Sequence, residues 1–145
     1  MMNVAEELRA EVEQATRRLE AWSDAEASAA PRPGVWSRKE ILGHLIDSAT
    51  NNHQRIVRAQ LDGAYRGPGY QQDAWVALQR YREREWTELI VLWASLNQHL
   101  SVAMAQVLPQ GAQAQCVVGD DPPCTLDWLM HDYLRHLRHH LAQMD

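Results

Sequence analysis

Residues 36–59 read WSRKEILGHLIDSATNNHQRIVRA, and residues 132–144 read DYLRHLRHHLAQM. Both stretches have the pattern of a helix, and both carry histidines. In the first, Ser37 and Glu40 have the spacing of a capping box, in which each side chain satisfies a free backbone N–H group. We therefore predict a helix from Ser37 to about Leu61.

The second stretch belongs to the last predicted helix. Pro122 and Pro123 precede Thr125, and threonine is a favourable N-cap residue. We therefore predict a helix from Leu126 to about Met144.

Two more helical regions complete the predicted elements. Apolar residues recur at spacings of three and four over Asn3–Trp22 and again over Gln72–Val107. The second region is long for one globular helix, and a break in it is expected near Tyr81–Glu85. The predicted connections are residues 23–36, residues 62–70 and residues 109–124, the last with a short extended piece at Gln115–Val118.

Four long helices joined by connections of mixed length predict an all-α four-helix bundle. The 145 residues are enough for one domain with a hydrophobic core, and 46% of them are hydrophobic. No internal repeat or low-complexity segment divides the chain. We expect a single domain over residues 1–145.

Charge and hydropathy exclude several function classes. The net charge is -5 and the arginines are scattered among acidic residues, which argues against nucleic-acid binding. No apolar run approaches the roughly 18 residues that span a bilayer, and the start of the chain lacks a signal-peptide core. A cytoplasmic location without membrane attachment is the expectation. The two cysteines, Cys116 and Cys124, are too few for a four-cysteine zinc site, and the sequence leaves open whether they pair.

Histidine usage is the unusual feature of the composition. Of seven histidines, four fall close together near the end of the chain. His136 and His140 are four residues apart and share one helix face, so that both could bind one metal ion. His131 and His139 point elsewhere on the helical wheel, although His139 adjoins His140. An i,i+4 pair alone is a weak signal, because a solvated face near a helix C-terminus also favours histidine.

A third ligand would have to come from another helix, and His44 is the best candidate. On a helical wheel, the apolar residues of this helix cluster on the side opposite His44, so the face that carries His44 has two interpretations. Its own face is either solvated or lines a polar cavity inside the bundle, and the wheel favours neither. His53 lies about 180° away and is expected in or beside the core.

The two stretches quoted above together resemble the DinB/YfiT-like superfamily. The shared features are a histidine early in the second helix and a His-x-x-His-His cluster in the last one. The resemblance covers essentially the whole chain and implies a four-helix bundle in which His44, His136 and His140 surround a divalent metal, often zinc or nickel. Some relatives transfer low-molecular-weight thiols or isomerise substrates with a thiol cofactor, and many others are described as metal-dependent hydrolases. No motif in this chain singles out a thiol-cofactor site.

Such a site has a defined chemistry. Three neutral imidazoles leave the metal's charge uncompensated and at least one coordination position open, which is typical of catalytic zinc. Bound water or a bound thiol would lose its proton more easily there, so hydrolysis and thiol transfer are both compatible with the ligands.

Five neighbouring side chains are candidates for the rest of the site. Asp47, Asp132 and Tyr133 lie near the ligand positions and are candidates for catalytic or orienting roles. Asn51 and Arg55 share the face of His44 and could contact an anionic substrate. The alternatives are exposed helix carboxylates for the two aspartates and a surface ion pair for Arg55.

The sequence supports three functions. The first is a metal-dependent enzyme that acts on a small molecule, either as a hydrolase or as a thiol transferase. The same metal ligands are compatible with both reactions. The second is a metal-binding or stress-response module without catalysis. The third is a helical bundle that forms a homodimer and has no functional metal, since aromatic residues are enriched at protein interfaces.

Overall fold

The computed structural model describes residues 1–145, and four long helices dominate it. The helices are α1 (Val4–Glu20), α2 (Asp24–Ser28), α3 (Arg38–Asp62), α4 (Gln72–Gln79), α5 (Trp86–Ala105), α6 (Pro109–Ala112) and α7 (Leu126–Ala142). Helices α1 and α3 each pack against both α5 and α7. The predicted four-helix bundle is confirmed, and its packing places α3 beside α7, the two helices that carry the candidate ligands.

Capping residues set the helix starts. At Ser37, the side chain accepts from the Glu40 N–H and the Glu40 carboxylate accepts from the Ser37 N–H, as the sequence predicts. The Thr125 hydroxyl accepts from the Trp128 N–H at 3.0 Å and begins α7. Because both caps hold, the positions of the histidines along α3 and α7 are fixed from the first turn.

Helix α2 lies within residues 23–36, which the sequence predicts to be a loop, and this part of the prediction is wrong. Ser23 and Glu26 form a second capping box that starts it. The Asp24 carboxylate then accepts from Lys39 Nζ at 2.9 Å and from the Trp86 N–H at 2.8 Å. The short helix is therefore held by tertiary contacts with α3 and α5 that a local pattern does not contain.

The expected break in the third helical region is present. Helix α4 ends at Gln79, a 3₁₀ turn covers Tyr81–Glu83, and α5 begins at Trp86. Arg80 between them has φ 52° and ψ 49°, a left-handed conformation that cannot continue a helix.

A small sheet closes one side of the bundle. Strand β1 (Ala64–Gly67) pairs in parallel with β2 (Gln115–Val118), which pairs antiparallel with β3 (Cys124–Thr125). The extended piece at Gln115–Val118 was predicted, but β1 and the short helix α6 replace structure expected to be irregular. Strand β1 forms only because the fold brings it beside a segment some fifty residues later in the chain.

The core fills the space between the four long helices. Its largest fully buried side chains include Trp86 and Trp93 of α5. The Trp86 indole N–H donates to the Leu19 carbonyl at 2.8 Å, whereas the Trp93 indole N–H is buried without a partner. No helix in the structure is both long and apolar enough to cross a membrane.

Candidate metal centre and adjacent cleft

Three imidazoles converge between α3 and α7. The Nε2 atoms of His44 and His136 are 3.2 Å apart, and those of His136 and His140 are 3.0 Å apart. One nitrogen from each of the three rings lies within 4.8 Å of the other two. His44 is 0% exposed, so its face of α3 is turned into the bundle and the solvated interpretation of that face is wrong.

The spacing of the nitrogens fits one metal ion. Nitrogens that each lie about 2.0–2.1 Å from a tetrahedral zinc ion are about 3.3–3.4 Å apart. The Nε2 separations of 3.2 Å and 3.0 Å are close to this value. His139 is exposed and is not part of the group, and His53 is half-buried with its ring 5.1 Å from that of His99.

A hydrogen bond orients one of the three rings. Nδ1 of His140 lies 2.7 Å from the side-chain oxygen of Gln143. Because an amide oxygen can only accept, Nδ1 carries the proton and Nε2 presents its lone pair to the centre. The ring of His140 is thereby fixed in the tautomer that coordinates a metal through Nε2.

Burial keeps the imidazoles neutral. The pKa of His44 is lowered to about 3, mainly by loss of hydration and to a smaller extent by the nearby His140 and His136. The pKa of His136 is lowered to about 4, mainly by loss of hydration and to a smaller extent by repulsion from His140. The pKa of His140 is also lowered, again mainly by burial. Neutral imidazole is the form that binds a metal, so the group needs no proton loss at neutral pH.

An indole covers the centre. The Trp36 ring lies 5.1 Å from the His44 ring and 6.5 Å from the His140 ring, measured between centroids. Trp36 directly precedes Ser37, the N-cap of α3, and lies eight positions before His44 in the sequence. A half-buried indole at this position limits the access of water to the rings.

Asp47, three residues after His44 on α3, is buried in a hydrogen-bonded cluster. Its Oδ1 accepts from Tyr81 Oη and from Gln79 Nε2, both at 2.7 Å, while its Oδ2 has no partner. Burial raises the pKa of Asp47, and these two hydrogen bonds oppose that rise. No hydrogen bond joins Asp47 to an imidazole; the His44 Nδ1 is likewise buried without a partner.

Gly43 makes room for this cluster. A Cβ atom at Gly43 would lie 2.1 Å from the Tyr81 ring, closer than any real contact. The absence of a side chain therefore lets the ring lie directly on α3 and reach Asp47.

The other two predicted catalytic candidates occupy different surroundings. Asp132 lies on the cleft side of α7, with its carboxylate about two-fifths exposed and paired with Arg135. Tyr133 is buried, and its hydroxyl donates to the Asn97 side-chain oxygen. Loss of hydration raises the pKa of Tyr133, so its hydroxyl stays protonated.

The two predicted substrate-contacting residues, Asn51 and Arg55, also lie in different surroundings. Asn51 is half-buried and donates to the Asp47 backbone carbonyl at 2.9 Å. Arg55 is only 7% exposed, and its one hydrogen bond reaches the Pro68 carbonyl at 3.5 Å. Arg55 lines the cleft that includes His136, whereas Asn51 lies outside it, in a shallower depression.

This cleft has a volume of about 760 Å³, and His136 is the histidine of the cluster that lines it. One wall is the polar face of α3, formed by Ser48, Asn52 and Arg55. The facing wall is the segment 118–125, which includes the β2–β3 turn, and α7 contributes residues from Trp128 to His136. Gly69, Tyr70 and Gln72 complete the lining. Its size is typical of a small-molecule site, for which volumes of about 300–1,000 Å³ are common.

Sequence reasoning missed four residues of this region: Trp36, Tyr70, Tyr81 and Gln143. Only Gln143 has a usable local signal, since it lies three residues after His140 on the same helix. The other three reach the site from a loop or a helix break, where no periodic pattern predicts the direction of a side chain.

The fold and site together define a class: a four-helix bundle with a cluster of three histidines, one of which lines an adjacent cleft. The family model of the DinB superfamily matches residues 6–144, and the chain belongs to that superfamily. No curated protein sequence matches this chain.

Two solved structures are similar in fold. One is YfiT from Bacillus subtilis, described as a probable metal-dependent hydrolase with an unusual four-helix bundle topology. It has a TM-score of 0.82 and 22% identity, with 97% of this chain and 79% of that chain covered. The other is the mycothiol-dependent maleylpyruvate isomerase, with a TM-score of 0.75 and 15% identity. There 99% of this chain is covered, and it spans 63% of the isomerase chain.

Proposed function

We propose that the protein is a metal-dependent hydrolase of a small molecule and that His44, His136 and His140 bind its divalent metal, zinc or nickel. The observation that carries the proposal is the convergence of three neutral imidazole nitrogens, one of which belongs to a residue that lines the cleft, His136. A metal bound there would lower the pKa of a water molecule and polarise a substrate carbonyl.

The chain's own residues divide the remaining tasks. Trp36 shields the rings from bulk water, and Gln143 holds the His140 ring in the coordinating tautomer. Asp132 has a partly exposed carboxylate on the cleft beside His136, so we assign it the proton-transfer role. Asp47 on α3 accepts a hydrogen bond from Tyr81, and Tyr133 on α7 donates one to Asn97. We therefore assign these two residues the role of positioning α3 and α7 around the cleft.

Thiol transfer is the second candidate function. The similarity to a mycothiol-dependent isomerase favours it, and a metal held by three neutral imidazoles would also ionise a bound thiol. The metal ligands and the cleft would be the same, so only the reacting group of the substrate differs.

Metal analysis tests the centre itself. Protein purified without a polyhistidine tag should contain about one divalent ion per chain, and His44→Ala should remove it. His53→Ala, on the same helix but away from the centre, is the matched control and should keep the metal. Metal-free wild-type protein that takes up no zinc or nickel would contradict the proposal.

An activity screen separates the two reactions. Wild-type protein, the His44→Ala variant and the His53→Ala variant should be tested on amides, esters and thiol conjugates. Turnover of an amide or ester that is lost only in His44→Ala supports the hydrolase, whereas thiol-dependent turnover supports the transferase. Full metal content without turnover in any class would favour a non-catalytic metal-binding module.

A further inference from the structure

Arg55 is a buried cation without an anionic partner. Its side chain is 7% exposed, and no carboxylate lies within ion-pair distance of its guanidinium. Lys39 is the other buried cation of the chain, and it pairs with Asp24 at 2.9 Å. The difference matters because a buried charge is destabilising unless a partner of opposite charge compensates it.

The guanidinium is also short of acceptors. It can donate five hydrogen bonds, yet it makes only the long contact with the Pro68 carbonyl. Its side chain lines the cleft rather than the core, so the remaining donors are available to a molecule bound there.

A buried polar stripe connects Arg55 with the metal centre. His44, Ser48, Asn52 and Arg55 follow one another at spacings of four, four and three along α3, and each is buried. The last three line the cleft. Eleven residues of helix separate His44 from Arg55, a rise of about 16 Å, although a long arginine side chain shortens the gap.

We propose that Arg55 binds an anionic group, a carboxylate or a phosphate, at the end of the substrate away from the reacting end. The substrate class is then an elongated small molecule with polar groups between its two ends, matching the stripe. The placement of the reacting end at the histidines rests on the proposed function, but the anion site itself requires no metal.

The two acidic residues of the cleft do not cancel this charge. Asp132 pairs with Arg135 on α7, and Asp121 is exposed on the β2–β3 turn. Neither forms an ion pair with Arg55. A carboxylate or phosphate can instead accept two parallel hydrogen bonds from the guanidinium fork.

An NMR titration of the full chain tests the proposal. Chelator-treated protein and zinc-loaded protein are each titrated with phosphate, with succinate and with neutral succinamide, while the Trp128 indole and Gly69 amide signals are followed. Saturable shifts are expected with an anion and not with succinamide. Arg55→Gln should weaken anion binding about tenfold or more, whereas Arg58→Gln, an exposed arginine on the same helix, should leave it unchanged.

A second measurement separates ligand binding from a structural role. Without an anion, Arg55→Met should unfold at the same urea concentration as wild type or a higher one, because an uncompensated charge is removed. Added succinate should stabilise wild type but not this variant.

Three results overturn the proposal: anion affinity equal in Arg55→Gln and wild type, equal binding of succinamide and succinate, or no saturable shift at all. Loss of metal binding with anion binding retained would instead reject only the proposed function. Preference for phosphate over succinate, or the reverse, identifies which anionic group the substrate carries.

Discussion

Gln143 matters at the residue scale because it contacts His140 and not the metal position. Gln143→Leu removes the acceptor of the His140 Nδ1 proton and should weaken zinc affinity about tenfold. Competition with a chromogenic chelator measures this. Gln143→Glu keeps an acceptor and should retain wild-type affinity; equal weakening in both variants would mean that the hydrogen bond does not orient the ring.

Gly43 supports the site through shape alone. Gly43→Ala places a Cβ against the Tyr81 ring and should destabilise the protein by about 1–3 kcal/mol, measured by urea unfolding. Gly111→Ala is the matched control, since its added Cβ would meet Val107 and Gln60 at ordinary contact distances of 3.7 and 3.8 Å. That variant should stay within about 0.5 kcal/mol of wild type. If the two substitutions cost the same, close packing at Gly43 is not the cause.

Sequence reasoning at this scale finds residues that share a helix face and misses those that arrive from elsewhere. The i,i+4 spacing placed His136 and His140 on one helix face, and His44 was the best third candidate. The resemblance then implied that these three residues form one ligand set. Whether His44 faces solvent or cavity depends on which helix packs against its polar face, and here that helix is α7. Trp36 and Tyr81 contact the site from a loop and a helix break, where backbone direction depends on tertiary contacts.

At the element scale, the four long helices were predictable, whereas the short helix α2 and the small sheet were not. Helical spacing is local, and α1, α3 and α7 also have an N-cap side chain, so α1, α3, α5 and α7 follow from neighbouring residues. Strands β1 and β2 contain four residues each and pair across a long separation in sequence, so neither has a strong pattern of its own. The sheet depends on the bundle that brings its strands together.

Strands β2 and β3 also place the two cysteines opposite each other, both as free thiols. Burial, together with the nearby Cys124, raises the pKa of Cys116 to about 11, so about one part in a thousand is thiolate at pH 8. Burial also raises the pKa of Cys124, but this thiol is half-exposed on the cleft. Iodoacetamide should therefore label one thiol per native chain at pH 8, and the second only after unfolding.

Mass spectrometry of the labelled protein identifies the modified residue. The Cys124→Ser variant serves as the control and should remain almost unlabelled while native. Rapid labelling of Cys116 in that variant would show that β2 opens readily to solvent.

At the scale of the whole molecule, a metal bound by α3 and α7 would join two segments far apart in sequence. Only the native state brings the three histidines together, so saturating metal should stabilise it by about 2.7 kcal/mol at a hundred times the dissociation constant. For a chain of this size the melting temperature should rise by about 5–10 °C. Calorimetry with zinc or chelator measures the shift.

The matched variants for this measurement are His44→Ala and His53→Ala. The first should lose the zinc-dependent shift and the second should keep it. A shift that persists in His44→Ala would place the stabilising metal somewhere other than between α3 and α7.

The β2–β3 turn has a consequence for how such a protein diversifies. The three clustered histidines and Arg55 lie on helices that the core holds in place, whereas the facing wall of the cleft includes a turn at residues 119–123. Mutations in that turn can alter the shape offered to a ligand while the bundle and its histidines stay intact. Selection for new specificities can therefore act on a few surface positions, and a library restricted to them is the natural starting point for redesign.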